Sequence, residues 1–234
     1  MIWNDKISFP KIVATGCARS GTFLLSDILS QGGIIMGHET LFGEPGYGTF
    51  RENMVGDVAT LAMPFLNREK GRGAKILQIV RHPLKQMSSM IHGDSFADYA
   101  FNGNPFARYV AFHLPDIMKH SELDRYIFYW LVWNQQIASY VDLIYRLEDI
   151  IQDPYEIFKD LDWDLKGKKI KVKKMNAFKK KVKQYDWKDF KGCLYYNELL
   201  KGAAYYGYLT DKEAKKLMND MGIKVVKNGV AKKC

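Results

Sequence analysis

The residues from Gly16 to Thr22, Gly-Cys-Ala-Arg-Ser-Gly-Thr, have the make-up of an anion cradle. Glycine at both ends lets the backbone close on an anion and take positive φ, and Arg19 sits inside the turn. Gly16 and Gly21 match the spacing of the nucleoside-triphosphatase loop G-x-x-x-x-G-K-[ST]. Thr22, however, stands where that loop has its lysine, and Phe23 where it has the hydroxyl that binds magnesium. The cradle therefore suits an anion of lower charge, handled without a metal. Arg81 can make two parallel charged bonds to a phosphate, and Ser89 lies eight residues on, a spacing that by itself specifies little. Ser88 is the less favoured stand-in for Ser89. His38 and Glu39 are side chains that can take a proton from an attacking group, and Glu44 is a weaker third candidate.

These groups act together only if the fold sets them side by side. Ile12-Val13-Ala14 is a short β-prone run, and Thr22 to Leu29 has helical apolar spacing. Strand, glycine-bounded turn and helix place free N–H groups and partial positive charge at the cradle. Gly32-Gly33 breaks the helix, and Ile34 to Met36 reads as a second strand delivering His38 and Glu39. Residues 43–50 and 93–106 read as loops, 51–67 as helical, and 68–73 as a charged connection. Ala74 to Val80 is the clearest buried strand, and Pro83 opens a helix that carries Ser89. Helices are expected over 107–119 and 122–140, the second with Trp130 and Trp133 in the core. A strand over Val141 to Leu147 precedes a helix opened by Glu148 and Asp149 and running to about Leu161. The alternation predicts an α/β fold: three layers, α/β/α, around a central parallel sheet. Ligands gather at the carboxyl ends of such strands, where all three groups fall.

The expected organisation is one domain, with an α/β core over 1–165 and a basic, mostly helical lobe over 166–234. Twelve lysines lie between Lys166 and Lys191, either as a solvated face or as a lobe turned toward an anion. Thr210 and Glu213 have the spacing of a capping box for a final helix. The net charge of +9 points to an anionic partner. Three widely spaced cysteines show neither zinc spacing nor a disulfide framework, which points to a reducing compartment. The N-terminus is too polar for a signal peptide, and no apolar run reaches the roughly 18 residues of a membrane span, so a cytoplasmic chain is expected.

Gly16-x-x-Arg19-Ser20-Gly21-Thr22 resembles the 5′-phosphosulfate loop of sulfotransferases that use 3′-phosphoadenosine 5′-phosphosulfate (PAPS). Arg81 with Ser89 resembles that family's 3′-phosphate site. Glu39, twenty residues after Arg19 and followed by Thr40, resembles the base of tyrosylprotein and bacterial carbohydrate-type enzymes. The resemblance spans about Lys11 to Leu161 and implies a P-loop fold that takes PAPS and releases PAP, the 3′,5′-bisphosphate, without a metal. It implies cofactor contacts from Gly16, Arg19, Ser20, Gly21, Thr22, Phe23, Arg81 and Ser89. It also implies a catalytic Arg19, with Glu39 as base and His38 as its orienter or substitute. The acceptor would be a hydroxyl, or an amine, on a small molecule, glycan or lipid, with no nucleic acid as partner. The chain departs from the family at Phe23 and Leu24, which replace a threonine and a frequent tryptophan, and at Leu147, which replaces a tyrosine. Trp187, Phe190 and Lys191-Gly192 could take over adenine stacking and a phosphate contact. Two other readings remain open: a kinase-like phosphotransferase and a non-catalytic nucleotide- or polyanion-binding module.

Overall fold

The computed structural model describes residues 10–43, 48–172 and 183–219. Five strands form one parallel sheet in the order β2-β3-β1-β4-β5. They are β1 (Ile12–Thr15), β2 (Met36–His38), β3 (Gly56–Val58), β4 (Lys75–Val80) and β5 (Leu143–Arg146). The chain runs from β1 outward to β2, returns through β3, then crosses to β4 on the other side of β1. That reversal opens a crevice at the carboxyl ends of β1 and β4, the place where α/β sheets bind ligands.

Side chains alternate across the sheet and split the interior into two cores. Val13, Ile76 and Val80 face one side, packed with Met87, Tyr129, Trp130 and Trp133. Ala14, Leu77 and Ile79 face the other, packed with Leu25, Ile28, Leu29 and Phe158. The helices α1 (Thr22–Gly32), α2 (Leu66–Gly71), α3 (Pro83–His92), α4 (Ala100–Gly103), α5 (Pro105–His113) and α6 (Glu122–Ala138) lie along the first two-thirds of the chain. The short α7 (Leu147–Gln152) and α8 (Glu156–Asp160) follow, then α9 (Tyr196–Tyr205) and α10 (Asp211–Asn219). With both faces covered, the sheet is the middle of three layers.

Several elements depart from the sequence reading. The second strand starts at Met36 rather than Ile34, because Gly33 at φ 100° caps α1 and the Ile34 N–H turns back to the Leu29 carbonyl. Residues 51–67 hold the short strand β3 and then a 3-10 turn over Thr60–Phe65, where Pro64 bars a regular helix. The connection expected at 68–73 is largely the end of α2, and α4 lies within the loop expected at 93–106. Asn104 caps α5 by accepting from the Phe106 and Ala107 N–H groups, and α5 ends at His113 before a 3-10 turn at Pro115–Lys119. Asp153-Pro154 splits the helix expected to reach Leu161 into α7 and α8. Trp130 and Trp133 are core residues, and the Thr210–Glu213 capping box is formed in both directions. Part of the lysine run, 173–182, lies outside the described residues.

Candidate functional site

The loop from β1 to α1 is bent by two residues in the left-handed region, Arg19 at φ 67° and Gly21 at φ 101°. Glycine takes that conformation freely, whereas for arginine it costs on the order of 1 kcal/mol. Two contacts from other elements and one within the loop hold the strained turn. The Ala18 N–H donates to Tyr129 Oη at 2.9 Å, Gln86 Nε2 donates to the Ala18 carbonyl at 2.9 Å, and the Ser20 N–H returns to the Cys17 carbonyl at 3.0 Å. Gly16 and Gly21 are both required by space. A Cβ on Gly16 would fall on the Ile79 carbonyl oxygen, and one on Gly21 would lie 2.5 Å from Leu147 Cδ1. Gly21 is the N-cap of α1 and supplies no side-chain acceptor, so the first-turn N–H groups lack the usual side-chain cap. The Ser20 hydroxyl beside them is fully buried with no hydrogen-bond partner.

Arg81 enters the same loop from the end of β4. Its Nη1 donates to the Arg19 carbonyl at 3.0 Å, and Arg19 Nε donates to Ser89 Oγ at 2.9 Å. The two arginines and the serine thus meet in the crevice between β1 and β4. Burial lowers the pKa of both guanidiniums, and at Arg81 the neighbouring Arg19 charge lowers it further while Glu148 opposes. Two part-buried cations side by side make the pocket a ready host for an anion. Ser88 faces elsewhere: its hydroxyl donates to the Leu84 carbonyl and accepts from the Tyr185 N–H.

β2 brings His38 to the first turn of α1, where His38 Nε2 lies 3.2 Å from Thr22 Oγ1. Phe23 meets the same imidazole edge-on at 5.0 Å between ring centres. Burial, aided by the charge of Arg51, pushes the His38 pKa down to about 4, so the ring is neutral at pH 7. Glu39 follows in the left-handed region at φ 52°, with Oε1 accepting from the Thr60 N–H at 2.8 Å. Its Oε2 is buried without a partner. Burial raises the Glu39 pKa to about 7, opposed by the Thr60 N–H and reinforced by the charge of Asp57. A carboxyl that titrates near neutral pH is suited to proton transfer. Glu44 lies outside the described residues. Among the described residues, no three of His, Cys, Asp and Glu are grouped to hold a metal ion, and no helix is long and apolar enough to cross a membrane.

No family model and no curated protein matches the chain. Among solved structures, it is similar to the sulfotransferase from Alicyclobacillus acidocaldarius at 16% identity and a TM-score of 0.43, covering 92% of this chain and 97% of that one. It is also similar to mouse sulfotransferase SULT7A1 complexed with PAP, at 16% identity and a TM-score of 0.46, covering 92% and 89% of the two chains. Likeness of this degree carries no conclusion about function, which rests on the side chains.

Some sequence-based roles change. Glu148 lies in the first turn of α7 as expected, but its carboxylate accepts from the His82 N–H and the Tyr208 hydroxyl and so ties the β4 exit to the C-terminal part. Asp149 pairs with Arg146. Phe190 is fully buried, so it is core and not a stacking surface, whereas Trp187 lies against His82 at 5.8 Å. Tyr129, Gln86 and Asp57, which brace the loop and the turn after β2, carry no motif in the sequence. Their signal is a polar group on an otherwise apolar element, and it is a weak one without partners in view.

Proposed function

We propose that this chain is a sulfotransferase that moves a sulfuryl group from PAPS to an acceptor hydroxyl, or an amine. One observation supports the reading above the others: Arg81 bonded to the backbone of Arg19, with Ser89 on the Arg19 side chain. A nucleotide phosphorylated at both its 3′ and 5′ positions needs two cationic sites within one crevice, and this juxtaposition of Arg19 and Arg81 supports that reading. Arg19, the partnerless Ser20 hydroxyl, Thr22 and the N–H groups through Phe23 would hold the 5′-phosphosulfate, with Gly16 and Gly21 giving the backbone room. Arg81 and Ser89 would hold the 3′-phosphate. When bound, such a donor would supply an activated sulfuryl group, whose transfer forms an O–S bond to a hydroxyl (or an N–S bond to an amine) and breaks the S–O bond to the 5′-phosphate, which leaves with the bridging oxygen.

Arg19 and Thr22 would neutralise charge on the departing phosphate oxygen. Glu39 takes the acceptor proton, and neutral His38 fixes Thr22 and orients the acceptor. Glu39 is preferred because a base works best with a pKa near the working pH, about 7 here, whereas His38 at about 4 is a weak base. A second reading exchanges these roles, favoured by the direct contact of His38 with Thr22. The kinase-like reading lacks its lysine and metal hydroxyl at Thr22 and Phe23. We place the reaction in the cytoplasm, with an acceptor carried by a small molecule, glycan or lipid.

The test is transfer of labelled sulfuryl from PAPS to a panel of hydroxyl and amine acceptors, with EDTA present. Glu39→Gln should bind PAP as the parent does and lose most turnover. An acidic limb of kcat near pH 7 assigns the proton to Glu39, and a limb near pH 4 assigns it to His38. Phosphate transfer from ATP that EDTA abolishes would replace the proposal with the kinase reading.

A further inference from the structure

We propose that Asp57, in the middle of β3, is a positioning residue: its carboxylate fastens the turn after β2 and thereby sets where Glu39 points. The inference rests on Glu39 being the base. Asp57 is fully buried, with its Oδ1 lacking a hydrogen-bond partner and its Oδ2 carrying the bonds that offset the burial. Its Oδ2 accepts from the Leu41 N–H at 2.7 Å and the Phe42 N–H at 3.4 Å, the residues two and three beyond Glu39. In the sheet it stands opposite Gly37. A Cβ on Gly37 would lie 2.7 Å from Asp57 Oδ1 and 2.8 Å from Thr40 Oγ1, so the missing side chain is the space the carboxylate uses. Glycine and aspartate are thus a matched pair across β2 and β3.

The turn they hold is a strained one. Glu39 has φ 52°, and a residue persists in that region only where its surroundings over-determine it. β3 and its exit do so at three points. The Val58 carbonyl accepts from the Glu39 N–H at 3.1 Å, the Thr60 N–H donates to the Glu39 carboxylate, and Asp57 ties down Leu41 and Phe42. The groups facing Glu39 are Asp57 from β3, Tyr109 from α5 and Tyr129 from α6, with His38 adjoining on β2 and Arg51 beyond it. Both phenols are pushed above their ordinary range by burial first, so they stay neutral near pH 7. Burial raises the Asp57 pKa and its backbone N–H partners oppose that rise; as an anion, Asp57 is the nearby negative charge that favours the protonated form of Glu39.

The experiment is a carbon-13 titration of the Glu39 carboxyl in the ligand-free protein, its resonance assigned with Glu39→Gln, beside the pH profile of kcat. Asp57→Asn keeps shape and an acceptor oxygen, and should lower the Glu39 midpoint by on the order of one pH unit. The acidic limb of kcat should move down with it. Asp57→Ala, which also releases the turn, should cost about tenfold or more in kcat while PAP binding is retained. Gly37→Ala, which pushes on the same carboxylate, should move the midpoint too and serves if Asp57→Ala does not fold. A Glu39 midpoint unchanged in both Asp57→Asn and Gly37→Ala would overturn the inference. If Glu39→Gln kept full turnover, the base assignment would fall instead, and the midpoint shift would still report the coupling by itself.

Discussion

Glu39 makes a prediction that needs no substrate. Its folded pKa is about 7 against an ordinary 4.5, so between those values the folded chain holds a proton that the unfolded chain has released. Stability must then fall as pH rises through that window and level off above pH 7. Glu39→Gln removes the titration and keeps the shape. From the two pKa values, the variant should gain about 2.5 kcal/mol over the parent between pH 5 and pH 8.5. Most other titrating groups are common to both chains and cancel in the difference. Urea unfolding of both chains at half-unit pH steps reads the gap directly, provided the slopes agree. A gap that widens smoothly with pH is expected, so the inactive variant should be the more stable protein at pH 8.5. A gap constant to within about 0.5 kcal/mol would show that burial does not perturb Glu39, and the argument for it as base would go with it.

Three further outcomes follow from the site. Arg81→Ala should weaken PAP binding by about ten- to a hundred-fold in calorimetry, from the loss of charged bonds, while Ser88→Ala should bind PAP as the parent does. Gly21→Ala meets both a left-handed φ of 101° and Leu147, and should cost about 1–3 kcal/mol in thermal or urea unfolding, together with PAP affinity. His38, held neutral to about pH 4, contributes stability that is present above its ordinary pKa of 6.5 and lost as pH falls toward 4. His38→Gln should therefore unfold less steeply with acid over that range, in a pH titration followed by circular dichroism.

The parts legible in the sequence were those with strong local signals. β1 and β4 are apolar runs, α1 is bounded by glycines, and Pro83 marks the start of α3. Those three features alone put Arg19 and Arg81 just past the carboxyl ends of β1 and β4, and Ser89 in the helix that follows β4. β3 escaped notice because Gly56-Asp57-Val58 is three residues long and carries a glycine and a charge, which read as anything but a strand. Its strandhood comes from its neighbours: β1 and β2 pair it on both sides. Asp57 was hidden for the same reason, since a buried carboxylate is recognisable only once the Leu41 and Phe42 N–H groups are seen to face it. Arg51 opens a stretch with helical spacing, yet it closes α1 against β2 by donating to the Ser26 and Met36 carbonyls. Such contacts between residues far apart in the chain have no local signature.

Calorimetry of the metal-free protein with adenosine 3′,5′-bisphosphate, set beside AMP and ATP with and without magnesium, tests the central claim most directly. The account predicts that the 3′,5′-bisphosphate binds tightest, that EDTA changes nothing, and that Arg81→Ala reduces its affinity to that of AMP. Tighter binding of magnesium-ATP, or equal affinity for AMP and the bisphosphate, would contradict it.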